Sequence, residues 1–324
     1  MLSSNIKMLR HIALLIALLL SANCLAQKPA EVSLVSDNDL YTSPTNDQYY
    51  TAGIEFIYRY LGTSKNENVA KKITEFKAGM YIYNPQSIQA AELNVHDRPF
   101  AGYLFAEVGI NTFYKNESVL KVNFQGGVVG PESGAEQVQQ GLHDLLGYHT
   151  VRGWNYQITT TPALQLNGLY SHKILANTFK EKVDLHAQLQ ADAGTIWIGA
   201  SAGIMARISL KGLLLPMYDS ALHGAALNQD REAYKEQREL FIYANPNINY
   251  QYFDATIEGS MFNNTSPVTF PLVPFRFNAE AGVKYRKNAW TYTYSFNYRG
   301  KELYNNVIKG YYYGSIQLSY MFHK

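Results

Sequence analysis

The ten residues Trp290-Thr291-Tyr292-Thr293-Tyr294-Ser295-Phe296-Asn297-Tyr298-Arg299 constrain the fold most, because every even-numbered one is aromatic and every odd-numbered one polar. A period of two puts the aromatics on one face of a β-strand and the polar residues on the other. Val183-Asp184-Leu185-His186-Ala187-Gln188-Leu189-Gln190-Ala191-Asp192 repeats the pattern with aliphatic side chains. A half-buried sheet in a water-soluble protein alternates in the same way. Its apolar face then needs a second layer, and the chain offers no set of amphipathic helices to supply one. What remains is a cylinder whose apolar face meets lipid and whose polar face meets a wet interior.

Composition points the same way. Tyrosine contributes 26 residues, aromatics 14% and charged residues only 17%, and after residue 26 no apolar run reaches the roughly 20 residues of a membrane helix. Strand-like segments lie near 31–38, 50–61, 72–83, 100–114, 118–129, 157–171, 181–193, 195–209, 239–261, 275–287, 289–299 and 311–322, about twelve in all. An even count leaves both termini on the periplasmic side. The last segment carries Tyr312, Gly314, Ile316, Leu318, Tyr320 and Phe322 on one face, as an aromatic-ended closing strand does. The expected fold is all-β: a transmembrane antiparallel β-barrel in the outer membrane of a Gram-negative bacterium, with a short helix in an extracellular loop.

Residues 1–26 are read as a secretory signal peptide and 27–324 as a single barrel domain. Lys7 and Arg10 precede the apolar run Ile12–Leu20, and Cys24-Leu25-Ala26 forms a small-residue exit before Gln27. A lipoprotein box ending at Cys24 competes, but Asn23 stands where it wants a small residue. The single cysteine leaves with the signal, so no disulfide or thiol chemistry is expected. The net charge of +2 selects no partner. The absence of a basic tract interleaved with aromatics argues against nucleic acid.

The barrel pattern is interrupted by Gly130–Gln157. There Ala135, Val138, Leu142 and Leu145 recur at helical spacing as an apolar stripe, with Glu136, Gln139, Gln140 and His143 on a neighbouring polar face. Pro131 and Ser133 suit the start of this helix and Gly147 its end. If the first strand rises from the periplasm, Asp37-Asn38-Asp39, Tyr50-Thr51 and the His143 helix all meet at the outer rim. Segment 210–238 then falls on the periplasmic side, as a plug or a long turn.

Asp37-Asn38-Asp39 offers oxygen ligands of the kind a hard cation such as calcium takes. It is not an EF-hand: Thr42 stands where that loop needs glycine and Gln48 where it needs glutamate. On its own the triplet is more often a solvated turn. His143 alone is one of eight histidines and reads equally as a structural one. The chain has no Gly-x-Ser-x-Gly elbow and no His-Glu-x-x-His. Gly126-Gly127-Val128-Val129-Gly130 lacks the Lys-Ser/Thr of a phosphate loop. The economical chemistry is water activated by histidine, with a cation polarising a carbonyl.

Asn38-Asp39, Tyr50-Thr51-Ala52-Gly53, Asp97-Arg98-Pro99-Phe100-Ala101-Gly102, Gly130-Pro131 with Glu136-x-Val138-Gln139-x-x-x-His143, and Gly153-Trp154-x-x-Gln157 together resemble the lipid A 3′-O-deacylase family, LpxR. The likeness runs in one order from about residue 31 to the C-terminus. It implies a twelve-stranded outer-membrane barrel and a calcium-dependent esterase removing the 3′-acyloxyacyl chain of lipid A, a monomer with lipopolysaccharide of the outer leaflet as its partner. Carried over, Asp39 is a Ca2+ ligand, Asn38 and Thr51 hold the metal or the oxyanion, and His143 activates water. The family's acidic residue six positions after the histidine is His149 here, so Glu136 or Glu132 is the candidate substitute. Its basic pair after the third strand falls on Ala90-Ala91.

Blander readings stand beside these. Asp97-Arg98-Pro99 is expected to anchor a loop through an ion pair, Trp154 to pack against the helix or the interface, and Tyr81, Tyr83 and Tyr103 to join the aromatic girdle. The alternatives in function are a non-catalytic barrel, pore or scaffold, and a surface phospholipid esterase.

Overall fold

In a computed structural model that describes residues 28–42, 49–89, 91–175, 181–229, 238–305 and 307–322, twelve antiparallel strands close on themselves, β1 pairing with both β2 and β12. The strands are β1 (Ala30–Asn38), β2 (Tyr49–Gly62), β3 (Val69–Asn84), β4 (Ala101–Tyr114), β5 (Val119–Val129), β6 (Thr161–Lys173), β7 (Val183–Gly194), β8 (Trp197–Lys211), β9 (Arg238–Asp254), β10 (Phe275–Lys287), β11 (Trp290–Gly300) and β12 (Gly310–Phe322). Closure leaves no strand edge, so every spanning backbone group finds its partner within the wall. Among the described residues no helix is long and apolar enough to cross a membrane. The expected signal peptide lies outside the described residues.

The alternation in β11 is realised as expected. Trp290, Tyr292, Tyr294 and Phe296 are exposed on the outer face, and Thr291, Thr293, Ser295 and Asn297 are buried inside. Leu34, Leu104, Phe124, Leu166 and Ile248 extend the outer belt. Inside, charges are buried in pairs, which offsets their desolvation. Arg59 bridges Glu31 at 2.7 Å and Glu75. Lys77 lies 3.4 Å from Glu55 and 3.6 Å from Glu107, and Arg207 forks onto Asp184.

Apolar side chains pack across the lumen at both ends. From the periplasmic end Met217, Ala221, Leu222, Ala225 and Leu227 pack against Leu61, Ile73, Phe113 and Phe241 of the wall. Polar ties fix this plug: Ser220 Oγ donates to Glu239 at 2.6 Å, and Lys71 Nζ donates to the Ala225 carbonyl at 2.7 Å. Segment 210–238 is thus a plug over its described part. At the outer mouth Ile257, Leu272, Leu303 and Ile308 pack on Tyr49, Tyr50, Tyr311 and Tyr313. Between plug and lid lies a polar cavity of about 520 Å³, lined among others by Glu55, Lys77, Glu280 and Arg299.

Four readings change. Tyr81, Tyr83 and Tyr103 point into the barrel, where they pack around Phe105 and Ile158, rather than into the girdle; on β3 and β4 the odd-numbered residues face inward. The segment expected over 239–261 ends as a strand at Asp254, whose carboxylate accepts from the Thr256 N–H at 2.9 Å and starts the short helix α2 (Ala255–Glu258). The segment expected from 157 becomes strand only at Thr161, because a 3-10 turn occupies Trp154–Tyr156. Asp97-Arg98-Pro99 does anchor its loop with an ion pair, but the pair runs from buried Arg98 to Glu302, at 4.0 Å; Arg98 also donates to Thr256 Oγ1 at 2.9 Å and covers the Tyr83 ring, while Asp97 accepts from Tyr49 Oη at 3.1 Å.

Candidate active site

Strand register places Asn38 beside Ala52, Ala52 beside Ile82, and Ile82 beside Gly102. Asp37 and Gly53, their neighbours, face the lumen around Tyr50 and Tyr81. The row Asn38–Ala52–Ile82–Gly102 therefore runs along the lipid-facing side of the wall at the outer rim. It spans three strand spacings, about 14 Å.

Two elements fold over this row from opposite sides. At the β1 end the 3-10 turn Asp39–Tyr41 bends outward. Tyr41 lies on Gly314 of β12 and its carbonyl accepts from Tyr294 Oη at 3.1 Å. Asn38 Oδ1 caps the turn by accepting from Leu40 N at 2.8 Å, and Asp39 is 2% exposed. At the β4 end the helix α1 (Ala135–Leu146) starts directly over Gly102, where Ser133 Oγ and the Ala135 methyl fill the space a Cβ would take. From there α1 extends over β3. The chain then returns through Val151 and Trp154, which pack with Ile82, Phe100 and Ala52. Trp154 Nε1 donates to Gln139 Oε1 at 2.8 Å, and truncating this buried ring is worth roughly 3–5 kcal/mol. Along the wall, β1 and β2 lie between the turn and the helix.

The helix does not pack through its leucines, as the apolar stripe suggested. Its buried residues are Ala135 and Gln139. His143 follows at the same spacing of four and is half-buried, so all three share the wall-facing side. Val138, Leu142 and Leu145 are exposed.

His143 is held by the turn that ends its own helix. Gly147, at φ 72°, supplies the left-handed cap, and Tyr148 N donates to the His143 carbonyl at 2.8 Å. The Nδ1 atom lies 2.7 Å from the carbonyl oxygen of His149, and the Tyr148 ring meets the imidazole edge to face at 5.6 Å. A carbonyl only accepts, so Nδ1 carries the proton, and in the neutral tautomer this fixes, the lone pair lies on Nε2. Neither Glu132, which is exposed, nor Glu136 hydrogen-bonds the ring. The orienting partner is the backbone of the residue at which the resemblance expects an acid.

The third element is a bulge in β2. Tyr50 pairs with Tyr83 and Ala52 with Ile82, so Thr51 is the extra residue. Thr51 is 6% exposed, and its Oγ1 has no hydrogen-bond partner among the described residues. Sequence reading missed its neighbour Asn84, which is fully buried with neither amide atom hydrogen-bonded among the described residues. The signal was a polar residue ending the outward face of β3 after Met80 and Ile82.

The donors on this rim, the Asp39 carboxylate, the Thr51 hydroxyl and the Asn38 amide oxygen, are all oxygen and match a hard cation in type. A second acid–imidazole group, Glu117, Asp184 and His186, has its ligand atoms within 4.8 Å of one another at the periplasmic end. There Arg207 holds Asp184, and Lys173 lies 2.7 Å from Glu117. These cations already balance the carboxylates.

The sequence profile of the family described as "Outer membrane protein LpxR" matches residues 12–322. Among solved structures, LpxR from Salmonella typhimurium is similar with a TM-score of 0.73 at 17% identity, over 90% of this chain and 100% of that one. The β domain of the Bordetella autotransporter BrkA gives 0.49 at 7% identity over 90% and 98%. The translocator domain of NalP from Neisseria meningitidis gives 0.46 at 11% identity over 98% of both chains. No curated protein sequence matches this chain.

Proposed function

This chain belongs to the outer-membrane protein LpxR family, and from that premise we propose that it is a lipid A hydrolase that removes the 3′-acyloxyacyl chain at the groove between Asp39 and His143. The observation that carries this reading is the side of the wall on which the groove lies. It opens toward lipid at the outer rim, where an acyl ester of an outer-leaflet glycolipid sits, while the lumen behind it is plugged.

His143 Nε2 takes a proton from water as the water oxygen attacks the ester carbonyl. The C–O bond to the sugar then breaks, and the imidazolium returns its proton to the leaving sugar oxygen, giving a free acid and an alcohol. The His149 carbonyl keeps the ring in the tautomer this needs and accepts the Nδ1 proton throughout. A calcium ion held by Asp39, with Thr51 and Asn38, would supply positive charge against the developing oxyanion. Arg152, exposed and bridged to Gln89, offers a cation beside the segment where the family's basic pair is replaced by Ala91; Ala90 lies outside the described residues.

Mass spectrometry of lipid A from cells expressing the protein tests the reading. The expected product lacks one acyloxyacyl group, and chelation of calcium prevents its formation. Altered phospholipid with intact lipid A would replace this reading with a phospholipid esterase, and no lipid change at all would leave a structural barrel. The apolar clusters packed across the lumen at both ends speak against the pore alternative.

A further inference from the structure

The groove has a lipid-facing door, and α1 is that door. At about 100° per residue the helix divides into three faces. Ala135, Gln139 and His143 look at the wall. Gln137 and Asp144, both exposed, fall together on the opposite side. Between them runs an apolar face of Val138, Leu142 and Leu145, exposed by 40%, 47% and 79%. Tyr148, also exposed, follows in the exit turn.

Leaving so much aliphatic surface in water is costly, at about 25 cal/mol for each Å². Among the described residues nothing covers it. The surface instead continues one already turned to lipid: α1 begins over Gly102, and the next outward residue of β4 is exposed Leu104. A helix with one polar face, one leucine face and a flank on a membrane barrel has the arrangement of an interfacial helix lying in the headgroup plane.

We infer that the face of α1 formed by Val138, Leu142 and Leu145 is immersed among the acyl chains of the outer leaflet, with Gln137 and Asp144 toward water, so that the leaflet itself forms one side of the substrate site. The inference rests on the lipid hydrolase reading for its function but not for its geometry. An ester that lies in the leaflet reaches the wall-facing side of α1 by sliding beneath the leucines without leaving the membrane. A water-soluble ester gains nothing from them.

The experiment has two arms. In the first, Leu145→Cys and Asp144→Cys proteins, each labelled with a polarity-sensitive fluorophore, are reconstituted into vesicles of phosphatidylethanolamine and phosphatidylglycerol. The label at 145 is expected to be quenched by nitroxide-bearing lipid and protected from aqueous iodide, and the label at 144 to behave in the opposite way. Iodide quenching of both would overturn the inference, whatever the protein's activity. In the second arm, Leu142→Asp/Leu145→Asp is expected to lower hydrolysis of membrane-embedded lipid A at least tenfold, with hydrolysis of a dispersed short-chain ester unchanged. Equal loss on both substrates would overturn the leaflet's role in delivery. A wild type inactive on every ester would sink the hydrolase reading and leave the first arm to decide the immersion.

Discussion

The imidazole Nδ1 of His143 lies 2.7 Å from the carbonyl oxygen of His149, six residues on, across the turn that ends its own helix. The imidazole is therefore oriented by main chain, and the identity of side chain 149 is released from that task. His149 is exposed. Its replacement by Ala or Glu is expected to leave lipid A deacylation within about threefold of wild type, whereas His143→Ala should lose 10²-fold or more. Both proteins should keep the folded, faster migration of an unheated barrel on gels. A large loss in His149→Ala would show that its side chain has a task of its own.

Because Gly147 makes the turn at φ 72°, a β-branched residue there should disturb the base without touching it. Gly147→Val is expected to destabilise the cap by about 1 kcal/mol and to lower kcat with little change in KM. Gly147→Asn, which tolerates the left-handed region, should recover most of the rate. Steady-state kinetics on the three proteins checks this.

Thr51 and Asn84 carry buried polar atoms that no group among the described residues satisfies. Such groups destabilise a fold by about 1–3 kcal/mol each. Asn84→Leu is accordingly expected to melt at an equal or higher temperature than wild type while losing activity. Thr51→Ser should keep activity that Thr51→Ala loses. Thermal melting and deacylation measured side by side would separate this from simple misfolding, which lowers both.

In the plug, His223 adopts φ 57° and is half-buried. Burial, then the charges of Lys121 and Lys284, hold its imidazole well below the ordinary 6.5. The undocked plug binds a proton below that pH and the docked plug does not, so docking is fully stable above about pH 6.5 and weakens as pH falls. Limited proteolysis of the 213–229 segment should accelerate at pH 5 relative to pH 7.5. His223→Asn keeps the turn and should abolish the difference.

Much of this protein was readable from its residues in order. Alternation such as that of Trp290–Arg299 works because strand geometry alone sends neighbours to opposite faces, and closure into a twelve-strand cylinder follows from burying no second layer. The Gly147 stop of the helix is equally local. Tertiary structure alone decided which face of that helix is buried, since a stripe of leucines fits a protein core and a lipid leaflet equally well until the neighbours are known. It also turned Tyr81, Tyr83 and Tyr103 inward, drove Met217–Leu227 into the lumen, and replaced a missing acid by a carbonyl. Each of these depends on what lies across space from a residue, and no local pattern of hydrophobicity or spacing encodes that.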